Sequence, residues 1–113
     1  MVSRKQAEKI ALEMRNSIAA LFQNDRVDAI LFGSYARDEA EEGSDIDVML
    51  LVDQPRSRIC ERNWEIGSIA ADFLLDYGIV VSPVVENRDY FRSNAELFPF
   101  YRNIIREGVY LRA

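Results

Sequence analysis

Residues 31–53, LFGSYARDEAEEGSDIDVMLLVD, place an apolar run before Gly33-Ser34 and open a second apolar run with two aspartates, Asp45 and Asp47. Both runs are short, aliphatic and bounded by turn residues, which predicts two β-strands. Residues two apart on a strand share a face. Asp45 and Asp47 are therefore expected to project together, with Ile46 and Val48 on the other side. Adjacent carboxylates repel each other in a partly dry setting. A hard cation between them reverses that sign, so Mg²⁺ or Mn²⁺ at Asp45 and Asp47 is the expected occupant.

The Gly-Ser pair supplies a complementary half. Gly33 lets an anion approach the backbone. Ser34 is expected to open a short helix over residues 34–40, whose free N–H groups and dipole favour phosphate oxygens. Arg37, one turn on, either reaches a phosphate or pairs with Asp38, Glu41 or Asp45. Ser44, just before the first aspartate, completes the candidate nucleotide-binding set of Gly33, Ser34, Arg37 and Ser44. Together these parts suit a nucleoside triphosphate, ATP or another, with its metal, and chemistry by positioning and charge neutralisation.

Working outward, Ala7, Ile10, Ala11, Met14, Ile18, Leu21 and Phe22 recur at helical steps, predicting a helix over residues 4–23 capped by Ser3. Strands are expected over 27–32, 45–52 and 79–86; Pro83 demotes the last to an edge or a bulge. One long helix is expected over 56–77, burying Ile59, Asn63, Ile66, Ala70, Phe73, Leu74 and Tyr77. Trp64 and Cys60 on that helix read as packing residues. Asn87 should cap a short helix to Ser93, and a last helix runs over 98–107. The acidic run 38–44 reads as a solvated loop. This order predicts an α+β (α/β-like) domain, a mixed sheet of at least three strands packed with helices, spanning residues 1–113 as one unit.

Composition narrows the chemistry. A net charge of −5 argues against a broad basic face for nucleic acid. One cysteine and no histidine exclude a disulfide framework, a Cys/His zinc site and a histidine-based triad. The lone thiol and the absence of a leader pattern suggest the cytoplasm. No apolar run reaches the length that spans a membrane.

The pattern G33-S34-x10-D45-x-D47, inside LFGSYARDEAEEGSDIDVMLLV, resembles the signature of the DNA polymerase β-like nucleotidyltransferases, specifically the minimal nucleotidyltransferases. DYGIVVSPVVENRDYF and YRNIIREGVYLR resemble the later part of such domains. The resemblance implies that Gly33 and Ser34 hold the triphosphate and that Asp45 and Asp47 are catalytic metal ligands. It implies transfer of a nucleoside monophosphate, AMP from ATP, to a protein or other macromolecule, and a HEPN-domain partner in a toxin–antitoxin pair. The runner-up, supported by the lack of a clear third acid, is a weak or inactive nucleotide-binding module that neutralises the partner by complex formation. Two positions depart from the pattern. Asp38 stands where glycine is common, and Ser82, in VSPVV, stands where a third acid is expected; Glu86 and Asp76 are the substitutes at hand. The aromatics Phe91, Phe98, Phe100 and Tyr101 suit a core or contact with a second copy of the chain.

Overall fold

The computed structural model describes residues 2–112, so the two ends of the expected 1–113 unit lie outside the described residues. Helix α1 (Arg4–Leu21) starts at a capping box: the Gln6 N–H donates to Ser3 Oγ at 3.1 Å, and the Ser3 N–H donates to Gln6 Oε1 at 2.7 Å. Strands β1 (Asp28–Phe32) and β2 (Ile46–Val52) follow, then α2 (Arg56–Glu61), α3 (Asn63–Tyr77), β3 (Val81–Asn87), α4 (Arg88–Ser93), α5 (Pro99–Glu107) and β4 (Val109–Leu111). The four strands form one sheet in the order β3-β2-β1-β4. β1 runs antiparallel to β2 and β4, and β2 runs parallel to β3. This is the mixed α+β sheet that the element order implies, with Pro83 on an edge strand.

The sheet separates two cores. Alternate residues Ile46, Val48, Leu50 and Val52 of β2 turn to α1 and α3, where Met14, Ile18 and Ile66 close over them. Met49 and Leu51 turn the other way, toward Phe91 of α4 and Tyr101 and Ile104 of α5. Asp47 has the parity of Met49, so the second face carries the candidate chemistry.

The helices expected over 56–77 and 34–40 are corrected, and with the first the packing of Trp64 and Cys60. The long helix breaks at Arg62 (φ −101°, ψ 8°) into α2 and α3. The break resets the phase, so the inner face of α3 becomes Ile66, Ile69, Ala70 and Phe73, while Asn63, Leu74 and Tyr77 lie exposed. Trp64 falls on the outer face, 85% exposed, and Cys60 is exposed too; neither packs as expected. The helix expected over 34–40 is a single turn, in which the Arg37 N–H donates to the Gly33 carbonyl at 3.2 Å. Asp38, at φ 57°, leaves the right-handed region and stops it. Finally, β4 was not foreseen: it is three residues long and follows Gly108, where a Cβ would collide with the Ile104 carbonyl and Ile30. Only glycine lets the chain double back that closely.

Arg88 fixes the end of the sheet far from Gly33. Its side chain is 5% exposed and donates to Asp53 Oδ1 at 2.8 Å, to Asp28, and to the carbonyls of Arg26 and Leu51 at 3.1 and 3.3 Å. Burial raises the Asp28 pKa, but hydrogen bonding from Arg26 and the charge of Arg88 outweigh it, and the net shift is downward. The stabilisation from Asp28 is thus present above the unfolded carboxylate pKa and is lost as pH falls through the lowered folded value. Arg88→Met is expected to cost about 3 kcal/mol in urea denaturation at pH 7. That difference from wild type should shrink on acidification; equal loss at every pH would contradict this account. Among the described residues no helix is long and apolar enough to cross a membrane.

Candidate active site

β1 delivers Phe32 and then Gly33 to the end of the sheet where β2 begins. Phe32 stands opposite Asp47 in the antiparallel register. Gly33 adopts φ 76°, a left-handed conformation, and the chain turns away there. The Asp47 carboxylate fills the space this glycine leaves. A Cβ at position 33 would collide with Asp47 Oδ2 and lie 3.2 Å from its Cγ. The glycine and the second aspartate of the pattern are therefore in direct contact.

Neither the Asp45 nor the Asp47 carboxylate takes part in a hydrogen bond or ion pair among the described residues. Asp45 is exposed, and Asp47 is half-buried. Burial pushes the Asp47 pKa up, the neighbouring Asp45 charge adds to that rise, and Arg37 opposes it. A half-buried carboxylate with no partner, beside a second carboxylate, fits a hard cation with oxygen ligands. Such an ion would relieve both the burial and the repulsion.

Arg37 serves two glutamates in this state: Nε donates to Glu39 Oε1 at 2.7 Å and Nη1 to Glu107 Oε2 at 3.3 Å. Its sequence alternatives, Asp38, Glu41 and Asp45, are not its partners. Asp38 is held instead by a two-pronged pair with Arg4 at 3.0 and 3.1 Å. That pair anchors a residue whose backbone favours glycine, which accounts for the tolerated departure at this position. The Ser34 hydroxyl makes no hydrogen bond among the described residues, and it sits on the turn rather than at a helix start. Ser44 Oγ accepts from the Glu41 N–H at 2.9 Å and closes the acidic loop leading into Asp45.

Ser82 is the register partner of Asp47 across the parallel β2–β3 pair. It shares the Asp47 face one strand spacing away, so the position expected for a third acid is located, and it carries a hydroxyl. Glu86 cannot stand in. It is buried, with Oε1 accepting from the Tyr101 hydroxyl at 2.8 Å and Oε2 from the Asn87 N–H at 2.7 Å and Arg56 Nε at 3.2 Å. Burial and that bond to Glu86 push the Tyr101 pKa well up. Asp76 belongs to α3, on the opposite side of the sheet. Among the described residues no cluster of three or more Asp, Glu, Cys or His side chains comes together as a metal site.

The sequence reading missed the wall beside Gly33. α5 lays Phe100, Asn103, Ile104 and Glu107 along one side of a cleft of about 240 Å³ whose other side is Phe32, Gly33 and Arg37. The spacing of those α5 residues at three and four steps was visible, but nothing local said which sheet face they would meet.

The candidate site is thus Asp47 packed against the Gly33 turn, with Asp45 just before it, on a mixed sheet backed by helices. A model of the nucleotidyltransferase domain matches residues 12–111, and the chain belongs to that family, as a member of the minimal type. It is 31% identical over 101 residues to a protein of Methanocaldococcus jannaschii, covering 89% of this chain and 93% of that one. Two further proteins of the same organism match at 41% over 69 residues (60% of this chain, 47% of the relative) and 34% over 77 residues (68% and 76%). All three carry the provisional name of protein adenylyltransferase. This chain spans just under half the length of the second of them.

Gly33→Ala tests the contact. The new methyl would force Asp47 aside and strain a left-handed residue, costing about 1–3 kcal/mol. Metal–nucleotide affinity, measured by calorimetry, should fall by at least about tenfold with the displaced carboxylate. Unchanged affinity would separate Gly33 from the site.

Proposed function

We propose that this domain, acting as one unit, binds ATP with Mg²⁺ or Mn²⁺ and transfers AMP to a hydroxyl of a protein. The observation that carries this reading is the unpartnered Asp47 carboxylate lying against the Gly33 turn. The relatives' shared name supports AMP and a protein acceptor. In this reading the Gly33 backbone and Ser34 hydroxyl hold the β- and γ-phosphates, Ser44 keeps the approach to Asp45 in shape, and Asp45 and Asp47 hold the metal. When bound, the metal neutralises the charge that grows on the phosphates.

Arg37 would leave Glu107 for the triphosphate, since that exposed ion pair is weak and a triphosphate carries several negative charges. The bond from the acceptor oxygen to the α-phosphorus forms, the bond to the bridging α–β oxygen breaks, and pyrophosphate leaves. The acceptor proton passes to solvent, because Ser82 is no base at neutral pH. The reaction is accordingly slow.

A cytoplasmic setting and a HEPN-domain partner complete the proposal. Ser82 opposite Asp47 favours one second reading, a nucleotide-binding module that neutralises that partner by complex formation alone. Incubation with α-labelled ATP, Mn²⁺ and a HEPN protein separates the two. Label on the partner, lost with Asp45→Asn, is the expected result; a stable complex with no label after long incubation would leave the second reading standing.

A further inference from the structure

Resting on that reading of the Gly33–Asp47 site, we propose that the cleft between α5 and Phe32 receives the base of the nucleotide, with Asn103 selecting adenine. The cleft opens directly beside Gly33, so it adjoins the place given to the phosphates. Its two ends differ in chemistry. The Arg37–Glu107 pair, at 3.3 Å, forms a charged end. Phe100 forms the other end, edge-on to Phe32 with ring centroids 5.7 Å apart. Seven residues of helix separate Glu107 from Phe100, a rise of about 10 Å. A charged end carrying Arg37 and an aromatic end at that separation match a molecule with phosphates at one end and a flat ring at the other.

Asn103 lies between them on the same helical face. It is exposed, and its amide makes no hydrogen bond among the described residues. A side-chain amide offers one acceptor and two donors. That pattern meets the amino group and adjacent ring nitrogen of adenine, whereas guanine presents two acceptors on the same edge. Phe100 lines the cleft and is 48% exposed, so part of its ring is uncovered. Below it, Ile104 is buried against Ile30 and fixes α5 in place.

The test compares Mg–ATP, Mg–GTP and Mg–tripolyphosphate by calorimetry on the wild type, Phe100→Ala and Asn103→Leu. Tripolyphosphate reports the phosphate and metal site alone. Phe100→Ala should weaken ATP about tenfold through lost stacking and leave tripolyphosphate unchanged. Asn103→Leu, an exposed substitution that leaves the core untouched, should erase the preference for ATP over GTP while tripolyphosphate again holds. If both variants bind ATP as the wild type does, the base lies elsewhere and this inference falls, with the Gly33–Asp47 reading intact. If the wild type binds neither ATP nor tripolyphosphate with Mg²⁺, both fall together.

Discussion

Asp47→Asn is expected to lose nucleotidyl transfer by roughly 10³-fold or more while the protein becomes no less stable. The two halves of this expectation come from one observation. Asp47 is half-buried, raised in pKa by burial and by Asp45, and its carboxylate touches no donor among the described residues. Its charge is therefore a liability to the empty fold. The asparagine keeps the shape and fills the same space against Gly33.

The sign can be followed with pH. A carboxyl whose folded pKa is raised binds more protons folded than unfolded, so its contribution to stability falls as pH rises through the carboxylate range. The asparagine variant escapes that fall. Its thermal midpoint should equal or exceed the wild type at pH 7, and the gap should close on acidification toward the Asp47 pKa. Retained metal-dependent ATP affinity in Asp47→Asn, or a clear drop in its midpoint at neutral pH, would show that this carboxylate holds the fold together instead of a ligand. Stability and function trading against each other at one residue is the behaviour of a site, and a structural ion pair shows the opposite.

Much of this arrangement was legible in the chain. The two short apolar runs beside Gly33-Ser34 and Asp45-x-Asp47 form the expected strands, and a period of two puts Asp47 on the face of Met49; Asp45 falls one residue before β2, outside the reach of that argument. What it could not supply is which face the later helices cover. α5 lies on the carboxylate face because its buried Tyr101 and Ile104 meet Ile30, Met49 and Phe91, a long-range fit with no local signature.

The single turn after Ser34 was hidden for a different reason. Its residues tolerate a helix, and the stop depends on Asp38 being held left-handed by Arg4, 34 positions away in sequence. Arg62 likewise carries no breaker chemistry, so the split of the long helix, and with it the exposure of Trp64, follows from packing and not from propensity. Arg88, one position past the Asn87 cap, is the buried tie among Asp28, Asp53 and two carbonyls, and nothing in its local sequence marks it as such.

Ser82→Asp is expected to raise the transfer rate by roughly 10²-fold, the usual contribution of a positioned general base. The register makes this more than an analogy. Ser82 pairs with Asp47 across parallel strands, so an aspartate there would project beside it, about 4.8 Å away strand to strand. Three carboxylates then surround one place. Their mutual repulsion should lower the thermal midpoint without metal, and Mn²⁺ should restore it by more than it does in the wild type. The like charges also raise the pKa of the new group, so the added rate should climb with pH through that value.

Ser82→Asn separates charge from shape. It occupies the same space without a basic oxygen and should turn over no faster than the wild type. Were Ser82→Asp no faster than Ser82→Asn, with both binding ATP and metal normally, the missing proton acceptor would not be what limits this site. A domain that gains turnover from one carboxylate at this position is a transferase held slow by its own sequence.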